Sequence, residues 1–145
     1  MLSAMNISAS GLSAERLRME VVANNIANAN TTRTPRGGAF RRQDVVFASI
    51  MDDRLQGRRG ARPYGAEAFG GVRVEGIVDD TSDQPRVFLP GHPDADRSGY
   101  VTLPNVQLPI EMVNLITANR GYEANLRVLQ AYRQQVEQAL LLVRT

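Results

Sequence analysis

Residues 108–143 read LPIEMVNLITANRGYEANLRVLQAYRQQVEQALLLV. Within them Leu108, Met112, Leu115, Asn119, Tyr122, Leu126, Leu129, Arg133, Val136, Leu140 and Val143 recur at alternating spacings of four and three, and nine of these eleven are apolar. That is the pattern of one long helix carrying a heptad seam. Pro109 suits the first turn, where a missing N–H costs nothing, and Glu111 falls in the positive end of the helix dipole. A helix over 109–143 would hold about 35 residues and run roughly 52 Å at 1.5 Å per residue. Such a helix is long for a chain of 145 residues and needs a partner. The other end of the chain offers one: Leu2, Met5, Ala9, Leu12, Arg16, Met19, Ala23 and Ile26 repeat the spacing, seven of the eight apolar. The spacing predicts a helix over 3–28, stopped by Asn28-Ala29-Asn30, two threonines and Pro35. Gly11 lowers its propensity by about 1 kcal/mol against alanine, so this helix is marginal alone.

Between the helices, residues 31–107 hold ten of the twelve glycines and six of the seven prolines, a composition of loops and short strands. Alternation at Val72, Val74 and Gly76-Ile77-Val78, at Arg86–Leu89 and at Tyr100–Leu103 predicts three or four short strands, with turns around Asp79–Asp83 and Pro90–Gly99. The expected fold class is α+β: long N- and C-terminal helices pairing as an antiparallel coiled coil, with a small β-rich, loop-rich middle. Residues 1–30 and 108–145 then form one discontinuous helical unit, 31–71 an extended or loop segment, and 72–107 a small β segment. Within the loop segment, 51–71 is expected to be disordered or draped over another molecule.

Composition narrows the chemistry. With no cysteine there are no disulfides, thiolate metal sites or cysteine nucleophiles. All 17 basic residues are arginine, but 15 acids are interleaved with them and the formal charge is only +2, which does not call for nucleic acid. Arg54, Arg58, Arg59 and Arg62 lie among glycines with Tyr64 as the one adjacent aromatic. Asp52 and Asp53 offset them, and a solvated loop or one docked on an acidic neighbour fits better than RNA binding. No stretch approaches the ~20 apolar residues of a membrane span. The N-terminus lacks the basic start and continuous apolar core of a cleaved signal peptide.

His92, the single histidine, sits in the turn Pro90-Gly91-His92-Pro93-Asp94, with nothing around it that suggests a catalytic triad. Asp94-Ala-Asp96-Arg-Ser98-Gly99 begins like a calcium loop, yet its twelfth position is Asn105, and Pro93 and Pro104 exclude flanking helices. An aspartate-rich turn is the simpler expectation. Asp79 and Asp80, the only adjacent acids near the strands, lie in a turn rather than facing each other across a cleft. No catalytic residue, metal ligand or cofactor site is expected, and the chain is read as a structural protein rather than an enzyme.

The polar residues in the helices carry more information. Asn24, Asn25, Asn28 and Asn30 fall within seven positions, which disfavours helix unless their amides find partners. Arg16 interrupts the N-terminal seam, and Asn119 and Arg133 the C-terminal one; such residues sacrifice stability and specify packing. A lone two-helix hairpin leaves one side of each helix open, and Val113, Ile116, Leu141 and Leu142 widen the apolar face. These features point to self-association or co-assembly through the terminal helices. The competing expectation is a soluble coiled-coil adaptor or export chaperone that binds partner helices.

Ala9-Ser10-Gly11-Leu12-Ser13-Ala14 followed by Asn24-Asn25-Ile26-Ala27-Asn28-Ala29-Asn30-Thr31 resembles the N-terminal signature of the bacterial flagellar basal-body rod protein family. Thr32–Pro35, Gly37–Gln43, Pro90–Asp96, Gly99–Val101 and Pro104–Val106 are similar to its proximal-rod members, as are Glu111–Leu115 and Tyr122–Asn125. The signature positions carried over are Asn24, Asn25, Asn28, Asn30, Pro35, His92 and Pro93. Arg36 stands where the family usually has an acid, Ala39-Phe40 where it has Pro-Tyr, and Gly121 in place of a better helix former. The resemblance implies a subunit of the periplasmic drive shaft of the flagellum, exported without a cleaved signal through the flagellar type III apparatus. Its implied partners are copies of itself, other rod proteins and the hook–basal-body complex, with no membrane span. The assembly seams would be Met5, Leu12, Arg16, Met19, Ala23 and Ile26 on the first helix. On the second they would be Met112, Leu115, Asn119, Tyr122, Leu126, Leu129, Arg133, Val136 and Leu140.

Overall fold

Two helices, α1 (Leu2–Ala27) and α2 (Leu108–Val143), frame a computed structural model that describes residues 2–50 and 70–143. Four short strands lie between them: β1 (Gln43–Ser49), β2 (Val72–Asp79), β3 (Arg86–Phe88) and β4 (Tyr100–Thr102). The arginine–glycine stretch around 54–62 and most of the segment expected to be draped or disordered lie outside the described residues.

The helices run antiparallel. Asn25 bonds Glu111, a Cβ placed on Gly121 would meet Glu15, and one placed on Gly11 would meet Asn125. Going back along α1 from 25 to 15 to 11 therefore advances α2 by the same steps. With that register, α2 continues past the start of α1 by about nine residues, or roughly 13 Å.

The inner face is built from small and polar side chains. Ser8, Ala14, Val21, Val22 and Asn25 are buried on α1, and Glu111 and Ala118 on α2. The two glycines that cost helix propensity sit where a side chain of the opposite helix lies against their backbone. An added Cβ would lie 2.9 Å from the Asn125 amide nitrogen at Gly11 and 3.1 Å from Glu15 Cδ at Gly121.

The heptad seams are not the line along which the two helices of one chain meet. The seams straddle the edge of the contact. Leu12, Met19 and Ile26, with Leu115, Tyr122 and Leu129, are half-buried. Met5, Arg16 and Ala23 are exposed, as are Met112, Asn119, Leu126, Arg133, Val136 and Leu140. Arg16, Asn119 and Arg133 bond Glu20, Glu123 and Glu137 one turn along their own helices, at the surface. The physical reason is size: the closest helix approach selects glycine, alanine and serine, and the bulky seam residues are displaced to its flank.

β1 and β2 pair antiparallel, from Gln43 opposite Asp79 to Ser49 opposite Val72, with an irregularity between Val46 and Phe47. β1 lies in the stretch read as extended or loop. Its run Val45-Val46-Phe47-Ala48 does not alternate in sequence, and the break in register is where the alternation fails. β3 and β4 pair separately, Arg86 opposite Thr102 and Phe88 opposite Tyr100. The rings of that last pair meet edge to face at 5.2 Å, and Arg86 lies 5.4 Å from the Tyr100 ring centroid. Val101 of β4 and Val45 of β1 are buried core residues.

Candidate assembly surfaces and their polar junction

Asn25, at a poor helical position, uses its amide as a strand would. Its Oδ1 accepts the Gln43 N–H at 2.9 Å, and its Nδ2 donates to the Gln43 carbonyl at 2.8 Å and to Glu111 Oε2 at 3.0 Å. It thus satisfies the start of β1 from the side of α1. Glu111 is fully buried. Its other oxygen accepts from Arg42 Nε at 2.8 Å and from Asn114 Nδ2 at 3.3 Å. Arg42 also lies 3.3 Å from Asp44 and 3.6 Å from Asp80. Burial works against its charge, but the bond to Glu111 and the carboxylates of Glu111 and Asp44 outweigh it and hold the guanidinium above its ordinary pKa. The Arg42 N–H donates to Asn105 Oδ1 at 2.8 Å, and Asn105 Nδ2 donates to Ser82 Oγ at 2.8 Å. α1 through Asn25, the residue before β1 through Arg42, and α2 through Asn114 therefore converge on one carboxylate, while Asn105 on the approach to α2 holds the Arg42 backbone.

Other parts of the family-like blocks tie the layers together. Ser10 Oγ donates to the Ile7 carbonyl and accepts the Val72 N–H at 3.1 Å, fixing the start of β2 on α1. Asn28 Nδ2 donates to the Asn24 carbonyl at 2.9 Å and closes the end of α1, while its Oδ1 accepts from Thr31. Thr32 Oγ1 donates to Asp94 Oδ2 at 2.7 Å, joining the exit of α1 to the Pro90–Gly99 turn. In that turn His92 Nδ1 accepts the Asp94 N–H at 3.1 Å. Asp96 accepts from the N–H groups of Tyr100 and Ser98 and pairs with Arg86, contacts that lower its pKa, the Tyr100 bond most. Asp80 is lowered chiefly by the Ser82 N–H and hydroxyl, with Arg42 adding to it. Asp79 accepts from Gln43 Nε2 at 3.0 Å. The acids weighed as possible catalysts or calcium ligands are engaged in holding turns and strands. Asn30, Pro35 and Pro93 are exposed.

Large apolar side chains also remain open. Beyond the seam residues already named, Val113 is 61% exposed and Ile116 55% on α2, and Phe88 is 58% exposed on the β3–β4 hairpin. Met5, Leu129 and Val136 line a groove of about 460 Å³ beside the N-terminal end of α1. Large apolar residues exposed in such number are the kind of surface that proteins use to meet other macromolecules. Arg42, Glu111 and Asn105 were not singled out as a junction from sequence. Glu111 in an otherwise apolar turn was a signal, but it fitted the helix dipole equally well.

Comparison with known proteins bears directly on these surfaces. A family model described as "Flagella basal body rod protein" matches residues 5–33, and one described as "Flagellar basal body rod FlgEFG protein C-terminal" matches residues 97–141. The flagellar basal-body rod protein FlgC of Borreliella burgdorferi is 40% identical over 99% of this chain and 97% of its own length. The chain belongs to the FlgC family of flagellar basal-body rod proteins. FlgC of Yersinia enterocolitica is 41% identical over 98% of this chain and 97% of its own, and that of Bacillus subtilis 37% over 94% and 93%. The two matched segments are the ones that meet at Asn25–Glu111 and Gly11–Asn125. Arg42, the third member of the junction, lies between them and outside both.

Proposed function

We propose that this FlgC-family chain, a structural subunit of the basal-body rod, assembles through the outward half of its helical seams. Met5, Arg16 and Ala23 on α1, with Met112, Asn119, Leu126, Arg133, Val136 and Leu140 on α2, face neighbouring subunits: copies of this chain and other rod proteins of the hook–basal-body complex. The half-buried seam residues pack at the margin of the hairpin and complete the same surfaces. In this account the subunit passes through the flagellar type III export apparatus without a cleaved signal, assembles in the periplasm and transmits torque through many side-chain contacts. Residues 31–71 make inter-subunit contacts, within a middle segment that faces outward as a whole. No catalytic step enters.

The observation that carries the proposal is the exposure of large apolar residues along α2 in a hairpin that covers only one side of it, Met112 at 54% and Ile116 at 55% among them, with Leu140 at 60% in the overhang beyond α1. A helix so apolar on its outer side is unsatisfied in the single chain. The test places Leu126→Glu and Leu140→Glu together in cells lacking the native gene. The chain should fold and be exported as before, while rods fail to complete and swimming is lost. Normal rods and normal swimming would sink the proposal.

A further inference from the structure

The helix–helix contact poses a register problem. Gly11 and Ala14 on α1 and Ala118 and Gly121 on α2 allow close approach but carry little shape information. Both helices also repeat apolar residues every three or four positions, so a slide of one turn, about 5.4 Å, sets similar side chains opposite one another. One contact is not interchangeable. Glu111 is fully buried, and its partners come from α1 (Asn25), from the residue before β1 (Arg42) and from its own helix (Asn114). After a slide of four residues in either direction the same carboxylate would face Val21 on α1 or Ala29 just past its end, and Asn25 would face Leu115 on α2 or Gln107 just before its start. A buried carboxylate stranded in that way is strongly disfavoured, whereas a buried ion pair exchanged whole for apolar groups often costs nothing. The network therefore discriminates between registers more than it adds to stability.

We propose that Asn25, Arg42 and Glu111 are the specificity-determining residues that fix the axial register of α1 against α2. The outer stripe of α2 then holds one defined height relative to the β strands. The claim concerns the single chain and stands apart from its assembly role.

The chain has no cysteine, so an engineered pair can form only the one disulfide under test. A Cβ at position 11 lies 3.1 Å from Asn125 Cγ, which puts Gly11→Cys with Asn125→Cys within disulfide reach in the observed register. Gly11→Cys paired with Gly121→Cys or with Leu129→Cys reports a slide of one turn either way. Each pair is oxidised in the full-length chain, once with the network intact and once with Asn25→Leu, Arg42→Met and Glu111→Leu together, and read by gel mobility and peptide mass. With the network intact, the 11–125 link should exceed both slid links by about a hundredfold or more, the scale of the penalty for stranding one member of a buried pair. In the apolar variant the slid links should rise to within about tenfold of it while thermal stability is kept or raised. An apolar variant that keeps full selectivity overturns the proposal, as does an intact chain that forms all three links alike. If the triple variant does not fold, Glu111→Gln takes its place, because it keeps the Asn25 bond and strands only the Arg42 charge. More slid link supports the proposal, and unchanged selectivity refutes it.

Discussion

Replacing Arg42 by alanine should destabilise the chain far more than any other arginine substitution among the described residues. The side chain is 20% exposed and its partner Glu111 1%, so the pair is largely withdrawn from solvent. Removing one member of a buried ion pair costs about 3–5 kcal/mol. The lower end applies here, because Asn25 and Asn114 continue to donate to the Glu111 carboxylate and Arg42 retains some contact with water. About 3 kcal/mol is a large share of the roughly 5–15 kcal/mol by which domains are stable. With a urea slope of roughly 2 kcal/mol per molar, the unfolding midpoint should fall by about 1.5 M. The controls are Arg16→Ala and Arg133→Ala, whose pairs with Glu20 and Glu137 are exposed at the surface and should each cost no more than about 0.5 kcal/mol. The assay is urea unfolding of the full-length chain followed by far-UV circular dichroism at one fixed concentration. An Arg42→Ala midpoint that falls within the spread of the two controls would refute the reasoning that the junction is a buried, coupled unit.

The two interhelical glycines should respond with opposite signs. Gly11→Ala gains about 1 kcal/mol of helix propensity but forces the Asn125 amide, itself bonded to the Gly121 carbonyl, out of position, so thermal unfolding should show net loss. Gly121→Ala meets only the end of the Glu15 side chain, which can rotate by a few tenths of an ångström, and should be neutral or stabilising. Asp80 and Asp96 have lowered folded pKa values, so their contribution is complete above the ordinary value of 3.8 and is lost as pH falls below it through the folded values. Melting temperature plotted against pH should bend there, and the bend should shrink in the Asp80→Asn, Asp96→Asn double variant. Helicity of the purified chain should rise with protein concentration as the outer face of α2 finds partners. A self-sufficient adaptor would instead show strong, concentration-independent helicity when dilute.

Much of the architecture is written in local pattern. Both helices run within two residues of the limits read from their spacing and stop signals, and the alternating runs at Val72, Arg86 and Tyr100 are strands. β1 escaped because Val45–Ala48 is a block of apolar residues, and the irregularity at Val46/Phe47 breaks the period on which strand recognition depends. The line of helix contact is not legible for a related reason. Periodicity counts large apolar residues, whereas the closest approach is set by Gly11, Ala14, Ala118 and Gly121, which weigh little in such a pattern. The polar junction is not local at all. Asn25 and Glu111 are 86 residues apart, and Arg42 stands 69 from Glu111. The cluster of asparagines at 24–30 signalled that their amides needed partners; only the folded chain shows that Asn25 serves β1 and α2 together.

An image reconstruction of purified basal bodies containing this chain tests the central claim most directly. It should place the chain in the rod with Met112, Leu126 and Leu140 in contact with neighbouring subunits and the Asn25–Arg42–Glu111 junction enclosed within each copy. A rod in which that stripe of α2 faces solvent, or a basal body whose rod lacks the chain, would contradict the account.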